Sequence, residues 1–408
     1  MMRGVRHITV RQWMVLALAN LALVAVLGLT MRLKVLLPLP AVNQKFLLHA
    51  HSHFAFSGWV SHALMVLVTA WIFNRQPHEK PPRRYQLTFL LNLLAAYGML
   101  IGFFFQGYGR YSIMASSLSV VASYIFAGIC WRDLSKMRLA SVAHRWLRAA
   151  LVFLVLSSFG TFFLAYLMAS HNTDSRLQLA SVYFYLHFQY NGWFFFACMA
   201  LIQHWLQQQA IHLKHAKTSY WLFALTCPVN YLLSILWWDM PGWLYVLLVV
   251  AVLLQSGGWI RWLSSLIANQ RQIATRLSVL ATWLFLGVAV AATIKFTLQG
   301  LSVIPALSKL SYSFRPIVIG YLHLVLLAVI SLFIIAYGYA YGLLRVNRTA
   351  VWSTTLFVAG VIFNELLLMV QGISGLARLP ISHVPMLLAV AAGTLVLGIV
   401  GLLFSQRK

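Results

Sequence analysis

Acidic residues are scarce in this sequence. Its 408 residues include only 5 Asp and Glu against 30 Lys and Arg, and 9% of the chain is charged, compared with about 25% in soluble domains. So few charges cannot cover a water-soluble surface of this size, and 62% of the residues are hydrophobic. The composition therefore excludes a soluble globular protein. The carboxylates are Glu79, Asp133, Asp174, Asp239 and Glu365.

Cysteine is rare as well. Cys130, Cys198 and Cys227 each lie inside an apolar run, with no spacing typical of a metal site. We interpret them as small core residues. The net charge of +25 does not indicate nucleic-acid binding, because the basic residues sit in short segments between apolar runs, as topology signals do.

Apolar runs of about 20 residues, the length that crosses a hydrocarbon core, fill the chain. They predict an all-α, polytopic integral membrane protein that lies in a lipid bilayer as a single transmembrane domain over residues 1–408, with no room for a soluble domain. Unpaired backbone groups are not tolerated in lipid, so the spans must be helices. We predict about twelve: 11–31, 46–73, 86–107, 111–131, 146–170, 178–205, 219–238, 241–263, 277–298, 315–342, 350–371 and 383–404.

The distribution of basic residues predicts the orientation. The two ends and alternate loops hold 21 of the 30 Lys and Arg, and the richer set is expected to be cytoplasmic. Both termini are therefore predicted to be cytoplasmic, which agrees with an even number of spans. Lys295 and Arg315 count with the outer set, at the ends of spans.

Three histidines are predicted at similar depth in the outer half of the membrane: His51 in helix 2, His187 in helix 6 and His323 in helix 10. Ionisable groups inside a bilayer are functional candidates by default, although one histidine is as easily a hydrogen-bonded structural residue. Several at matched depth favour a cofactor, because neutral imidazole binds haem iron, copper and zinc.

Helical spacing divides the histidines of helix 2. His49 and His53 are four residues apart and share a face, whereas His51 points nearly opposite. His62 lies eleven residues beyond His51, close to three turns, and is expected on the same face. His49 and His53 could bind a metal as a pair, or one or two of the three could simply cap the helix near water. Glu365, near the outer end of helix 11, could supply a ligand or relay protons, or it could pair with Arg378.

The helix count and the histidine positions resemble the catalytic subunit of the haem–copper oxidase superfamily, nearest to its nitric oxide reductase and C-type oxidase branch. The run His51-Ser52-His53-Phe54-Ala55-Phe56-Ser57-Gly58-Trp59 is similar to the family's helix 2 motif. The run His187-Phe188-Gln189-Tyr190-Asn191-Gly192-Trp193 is similar to the helix 6 motif, with Asn191 in place of an acid. Tyr321-Leu322-His323 is similar to the family's His-x-His of helix 10, with only the second histidine present.

This resemblance implies a b-type haem held by His51 and His323. In the family, the histidine at the position of His187 binds a second metal, copper or iron; here that centre is expected to be altered or absent, with Glu365 as a candidate replacement ligand. His49 and His53 are candidate ligands of a metal that they bind as a pair. Tyr321 stands where the family has the ligand of its high-spin haem. Helix 7 lacks the family's two histidines, so the usual three-histidine copper site cannot form. No Cys-x-x-Cys-His run occurs, so the haem is expected to be non-covalent.

The sequence is consistent with three functions. The first is a haem protein of electron transfer or of nitric oxide or oxygen chemistry, an oxidoreductase if it is an enzyme, with a cytochrome or quinol as electron donor. The second is a non-enzymatic haem- or metal-binding protein of the nitric-oxide-response type, which predicts bound metal without turnover. The third is a transporter or channel, which would need polar residues along the full membrane depth. The resemblance places the chain in the bacterial inner (cytoplasmic) membrane, and no nucleic-acid partner is expected.

Overall fold

The structure is a computed structural model that describes residues 8–137, 141–305, 307, 315–377 and 381–407. Every regular element in these ranges is helical. In chain order the main helices are α1 (Val10–Leu36), α2 (Gln44–Ile72), α3 (Arg83–Gln106), α4 (Arg110–Ser135), α5 (Val142–Ala169), α6 (residues 175–208), α7 (Ala216–Val229), α8 (Gly242–Ala268), α9 (Val279–Ser302), α10 (residues 315–340), α11 (Arg348–Leu376) and α12 (Val384–Ser405).

Ten of these helices in the described chain are long and apolar enough to cross a membrane, all except α6 and α7. The chain is thus a multi-pass α-helical membrane protein. The predicted count of twelve spans and the cytoplasmic position of both termini stay predictions.

The two remaining helices differ from regular apolar spans in ways that the sequence explains. Helix α6 is long enough to cross a bilayer, but its middle carries His187, Gln189 and Asn191. Helix α7 has Pro228 in its last turn, ends at Val229 and continues as a 3₁₀-helix over Asn230–Ile235. Proline cannot donate a backbone hydrogen bond, so the predicted span 219–238 is not one uniform α-helix.

Polar side chains define where several helices begin. A side-chain oxygen before the first turn accepts from a backbone N–H that has no partner within the helix. Thr9 forms a capping box with Gln12 at the start of α1. The same role is filled by the residues that precede α2, α5, α6, α9 and α11, which are Asn43, Ser141, Asp174, Ser278 and Asn347.

The described chain forms two compact units. Unit 1 comprises Met1–Cys130 and Ser331–Lys408, and unit 2 comprises Trp131–Ile330. In unit 1, α12 packs against α11 and α1, and α2 packs against α1 and α3. In unit 2, α5 packs against α6, and α8 packs against α7 and α9. That all of them form one membrane domain stays a prediction.

Among the described residues, three helices contain a π-helical segment, in which each turn of the backbone holds about one more residue than in an α-helix. These segments are Ala55–Ser61 in α2, Phe188–Phe194 in α6 and Leu324–Ser331 in α10. π-helical turns inside α-helices are rare and are often found at functional sites. The three helices that contain them are the three in which the sequence predicts cofactor histidines.

Candidate functional site

Each π segment begins one or two residues after a histidine. His187 and His323 directly precede their segments, and His53 lies two residues before the segment of α2. The sequences around two of them also match each other: His53-Phe54-Ala55-Phe56-Ser57-Gly58-Trp59 in α2 and His187-Phe188-Gln189-Tyr190-Asn191-Gly192-Trp193 in α6. The shared pattern His-Phe-x-aromatic-Ser/Asn-Gly-Trp is therefore a repeated local structure, with one copy in each unit.

His51 of α2 faces α1. Its Nδ1 lies 3.1 Å from the carbonyl oxygen of Val24, and a Cβ added to Gly28 would come within 3.4 Å of its Cε1. A carbonyl can only accept, so Nδ1 carries the proton and the lone pair of the neutral ring is on Nε2. This is the tautomer in which Nε2 can bind a metal while the other nitrogen is held by a backbone carbonyl.

His49 and His53 face the opposite way, towards the end of α3. The ring of His53 stacks on Phe103 with centroids 4.2 Å apart, and the ring of His49 meets Tyr108 edge-on at 4.8 Å. The Tyr108 hydroxyl lies 3.5 Å from His53 Nε2, while His49 Nε2 is buried without a hydrogen bond. The two rings share a face that is separate from that of His51, as helical spacing indicates.

The π segment of α2 is held by amide side chains from both neighbouring helices. Asn20 of α1 donates to the carbonyl of Gly58 at 2.6 Å, and Asn92 of α3 donates to the carbonyl of Ser57 at 3.0 Å. The Tyr97 hydroxyl in turn donates to Asn20 Oδ1 at 2.7 Å. Both asparagines are buried, so they supply hydrogen bonds that neither water nor lipid could supply there.

Glu365 lies in α11, which packs against α12. Its Oε1 accepts a hydrogen bond from the Asn364 side chain at 3.1 Å. The alternative partner Arg378 lies outside the described residues. The contacts described for Glu365 do not join it to the histidines of α2.

His187 of α6 uses both ring nitrogens. Nε2 donates to the carbonyl of Cys227 at 2.8 Å, so Nδ1 bears the lone pair and accepts from Asn191 Nδ2 at 3.2 Å. This is the opposite tautomer to that of His51. With both nitrogens engaged, His187 ties α6 to the end of α7, and binding a metal would require one of these bonds to break.

His323 of α10 shares the tautomer of His51. Its Nδ1 lies 2.8 Å from the carbonyl of Ile319, one turn earlier in the same helix, which places the lone pair on Nε2. Tyr321, two residues before it, packs edge-on against Tyr190 of α6 with centroids 6.4 Å apart. His323 and Tyr321 belong to unit 2, whereas His51, His49, His53 and Glu365 belong to unit 1.

A buried lysine, Lys295, lies in α9 of unit 2. The sequence predicts it at the outer end of a span, but α9 continues to Ser302 and the side chain is only 2% exposed. Its Nζ donates to Gln299 Oε1 at 2.9 Å and lies 4.2 Å from the centre of the Phe296 ring. The spacing of Lys295 and Gln299, four residues apart in an apolar run, is the signal that could have revealed the pair.

Within the described residues, no group of three or more His, Cys, Asp or Glu side chains converges as a metal site would require. The predicted second metal therefore stays a prediction that rests on the sequence resemblance. No family model matches the chain, and no curated protein matches it significantly.

Proposed function

We propose that this chain is a membrane protein that binds b-type haem non-covalently, with His51 and His323 as axial ligands. The observation that carries the proposal is the shared tautomer of these two histidines. In each, Nδ1 is fixed by a backbone carbonyl, Val24 for His51 and Ile319 for His323. Histidines that bind a metal through Nε2 commonly donate the Nδ1 proton to a backbone carbonyl in this way, which fixes the orientation of the ring.

The donor set fits haem better than it fits a structural metal such as zinc. Two neutral imidazoles are a sufficient axial set for a low-spin haem iron, whereas a structural zinc site takes four ligands. When bound, such a haem would transfer single electrons or respond to a small gas. We therefore place the function in electron transfer or in nitric oxide or oxygen sensing, in a bacterial inner membrane.

The contacts of His187 favour binding or sensing over turnover. An enzyme of the nitric oxide reductase type would need His187 on a second metal, copper or iron, and an electron donor such as a cytochrome or quinol. In the structure His187 Nε2 bonds to Cys227 and Nδ1 to Asn191. Turnover is thus the second candidate function, supported by the sequence resemblance alone.

A visible spectrum of the purified protein tests the proposal. The wild type is expected to show a sharp Soret band with low-spin features. His51→Ala and His323→Ala are each expected to lose those features, because a haem iron that loses one imidazole becomes high-spin or dissociates.

His62→Ala is the matched control. His62 lies in the same helix as His51, but its ring packs between Trp13 and Phe89, at 5.7 and 5.9 Å, and the control should keep the low-spin spectrum. A folded wild type without visible absorption would refute haem binding. Consumption of nitric oxide or oxygen with a reduced cytochrome or quinol would instead favour the enzymatic function.

A further inference from the structure

Two histidines near the start of α2 lie on the face opposite to His51. His49 and His53 are four residues apart in the regular part of the helix, before the π segment. Two histidines at this spacing on one helix face can bind the same metal ion, as they do in helical zinc sites. A pair of imidazoles is an incomplete ligand set, so the surroundings of the two rings decide whether they can hold an ion.

Tyr108 supplies a third donor to this pair. Its hydroxyl oxygen lies 3.5 Å from His53 Nε2, and its ring meets the ring of His49 with centroids 4.8 Å apart. A separation of 3.5 Å is long for a hydrogen bond. It is close to the separation of about 3.3 Å between two donors that each lie about 2.0 Å from one tetrahedral metal ion. The donor atoms of His53 and Tyr108 are thus spaced as ligands of a shared ion.

The Nε2 atom of His49 lacks a partner. It is buried without a hydrogen bond, which is rare for a polar atom in a native protein and calls for an explanation. His49 lies about one turn before His53 and contacts the same tyrosine ring. A metal ion at the Tyr108 hydroxyl is therefore within reach of this nitrogen and would satisfy it.

The turn after α3 holds Tyr108 in place. Gly107 ends α3 with a φ of 62°, and a Cβ there would overlap the ring of Phe46 in α2. Glycine therefore allows this turn to lie close to α2. The Ser112 hydroxyl donates to the carbonyl of Gly107 at 2.7 Å and accepts from the Gly109 N–H at 2.9 Å. Backbone structure thus positions Tyr108 beside the histidines.

We propose that His49, His53 and Tyr108 bind a divalent transition-metal ion, Zn²⁺ or Cu²⁺, with water as a further ligand. Imidazole nitrogen suits both ions, whereas Mg²⁺ and Ca²⁺ prefer oxygen ligands. Tyrosine completes the set, since no third His, Cys, Asp or Glu side chain of the described residues joins the pair. Tyr108 is 47% exposed, which leaves a path for the ion. Because His51 faces α1, this site does not depend on haem binding.

Zinc titration of the purified full chain tests the site. The protein, treated with a chelator and then freed of it, competes with a chromophoric zinc indicator for Zn²⁺, and the titration gives the Kd. Loss of an outer-shell partner of a metal ligand already costs about 10–100-fold in affinity. His49→Ala and His53→Ala each remove a ligand itself, so each is expected to weaken zinc binding by at least about hundredfold. His212→Ala, which removes an exposed histidine outside the cluster, should bind zinc like the wild type.

Tyr108→Phe separates the three-ligand site from a simple pair of histidines. The variant keeps the aromatic ring and removes only the oxygen, so the zinc affinity is expected to fall by about tenfold. If one histidine variant does not fold, as judged by its circular dichroism spectrum, the other histidine variant and Tyr108→Phe decide the question. A wild type that binds no zinc, an affinity retained in His49→Ala or His53→Ala, or an affinity unchanged in Tyr108→Phe would overturn the proposal.

Discussion

Replacing Asn20 by leucine is expected to destabilise unit 1 through the π segment of α2. Asn20 is fully buried and makes two hydrogen bonds, to the carbonyl of Gly58 at 2.6 Å and from the Tyr97 hydroxyl at 2.7 Å. Leucine branches at the same carbon as asparagine but is larger, and it cannot make either bond. The buried carbonyl of Gly58 and the half-buried hydroxyl of Tyr97 then lose this partner.

The size of the effect follows from these two bonds. A buried group left unsatisfied costs about 1–3 kcal/mol in soluble proteins, but interhelical hydrogen bonds in membrane proteins average about 0.6 and reach about 1.7 kcal/mol. We therefore expect Asn20→Leu to lower the free energy of unfolding by about 1–3 kcal/mol. Asn92→Leu, which removes the single bond to Ser57, should cost less.

A double-mutant cycle isolates the bond between Asn20 and Tyr97. Asn20→Leu, Tyr97→Phe and the double variant are unfolded in mixed micelles with increasing denaturing detergent. The coupling energy is expected to be about 0.6–1.7 kcal/mol. Thr30→Ala is the control, because the exposed Thr30 hydroxyl bonds only to Val26 of its own helix. A coupling energy of zero, or an Asn20→Leu effect no larger than that of the control, would refute the role assigned to Asn20.

Two further predictions concern packing and topology. A Cβ at Gly398 of α12 would lie 2.6 Å from the backbone nitrogen of Phe357 in α11, so Gly398→Ala should lower the free energy of unfolding by about 1–3 kcal/mol. Gly287 has open space around it, so Gly287→Ala should not lower stability. Equal melting temperatures for the two variants would contradict the close packing. For topology, a single cysteine in place of His78 should react with an impermeant thiol reagent from the cytoplasmic side, and one in place of Asn172 should react from the outer side. The buried native cysteines should stay unlabelled. Labelling of both positions from one side would contradict the predicted orientation.

Much of the helical framework could be predicted from the sequence because apolar length is a strong signal. The predicted span 46–73 appears as the continuous helix α2, Gln44–Ile72. The opposite faces of His51 and of His49 with His53 were also predictable. All three lie before the π segment, where regular helical spacing still holds.

The details beyond regular periodicity could not be predicted. His62 was expected on the face of His51, but the spacing between them crosses the π segment, and His62 packs against both Trp13 of α1 and Phe89 of α3. The burial of Lys295 was missed because a charged residue near the end of an apolar run usually marks the membrane boundary. Whether it is buried depends on the contacts of Phe195 and Gln299, which hydropathy does not record.

The π segment of α2 has a consequence for how insertions and deletions would act on this chain. One residue of an α-helix corresponds to a rotation of about 100° about the helix axis. A π turn contains one extra residue, and the helix that follows it keeps the orientation that it would have without that residue. Deleting a single residue between Ala55 and Ser61 would therefore restore an ordinary α-helix and preserve the faces on both sides. The same deletion one turn later, within His62–Ile72, would rotate the rest of the helix away from its packing partners. A deletion scan along α2 is thus expected to show one tolerant window, located at the π segment.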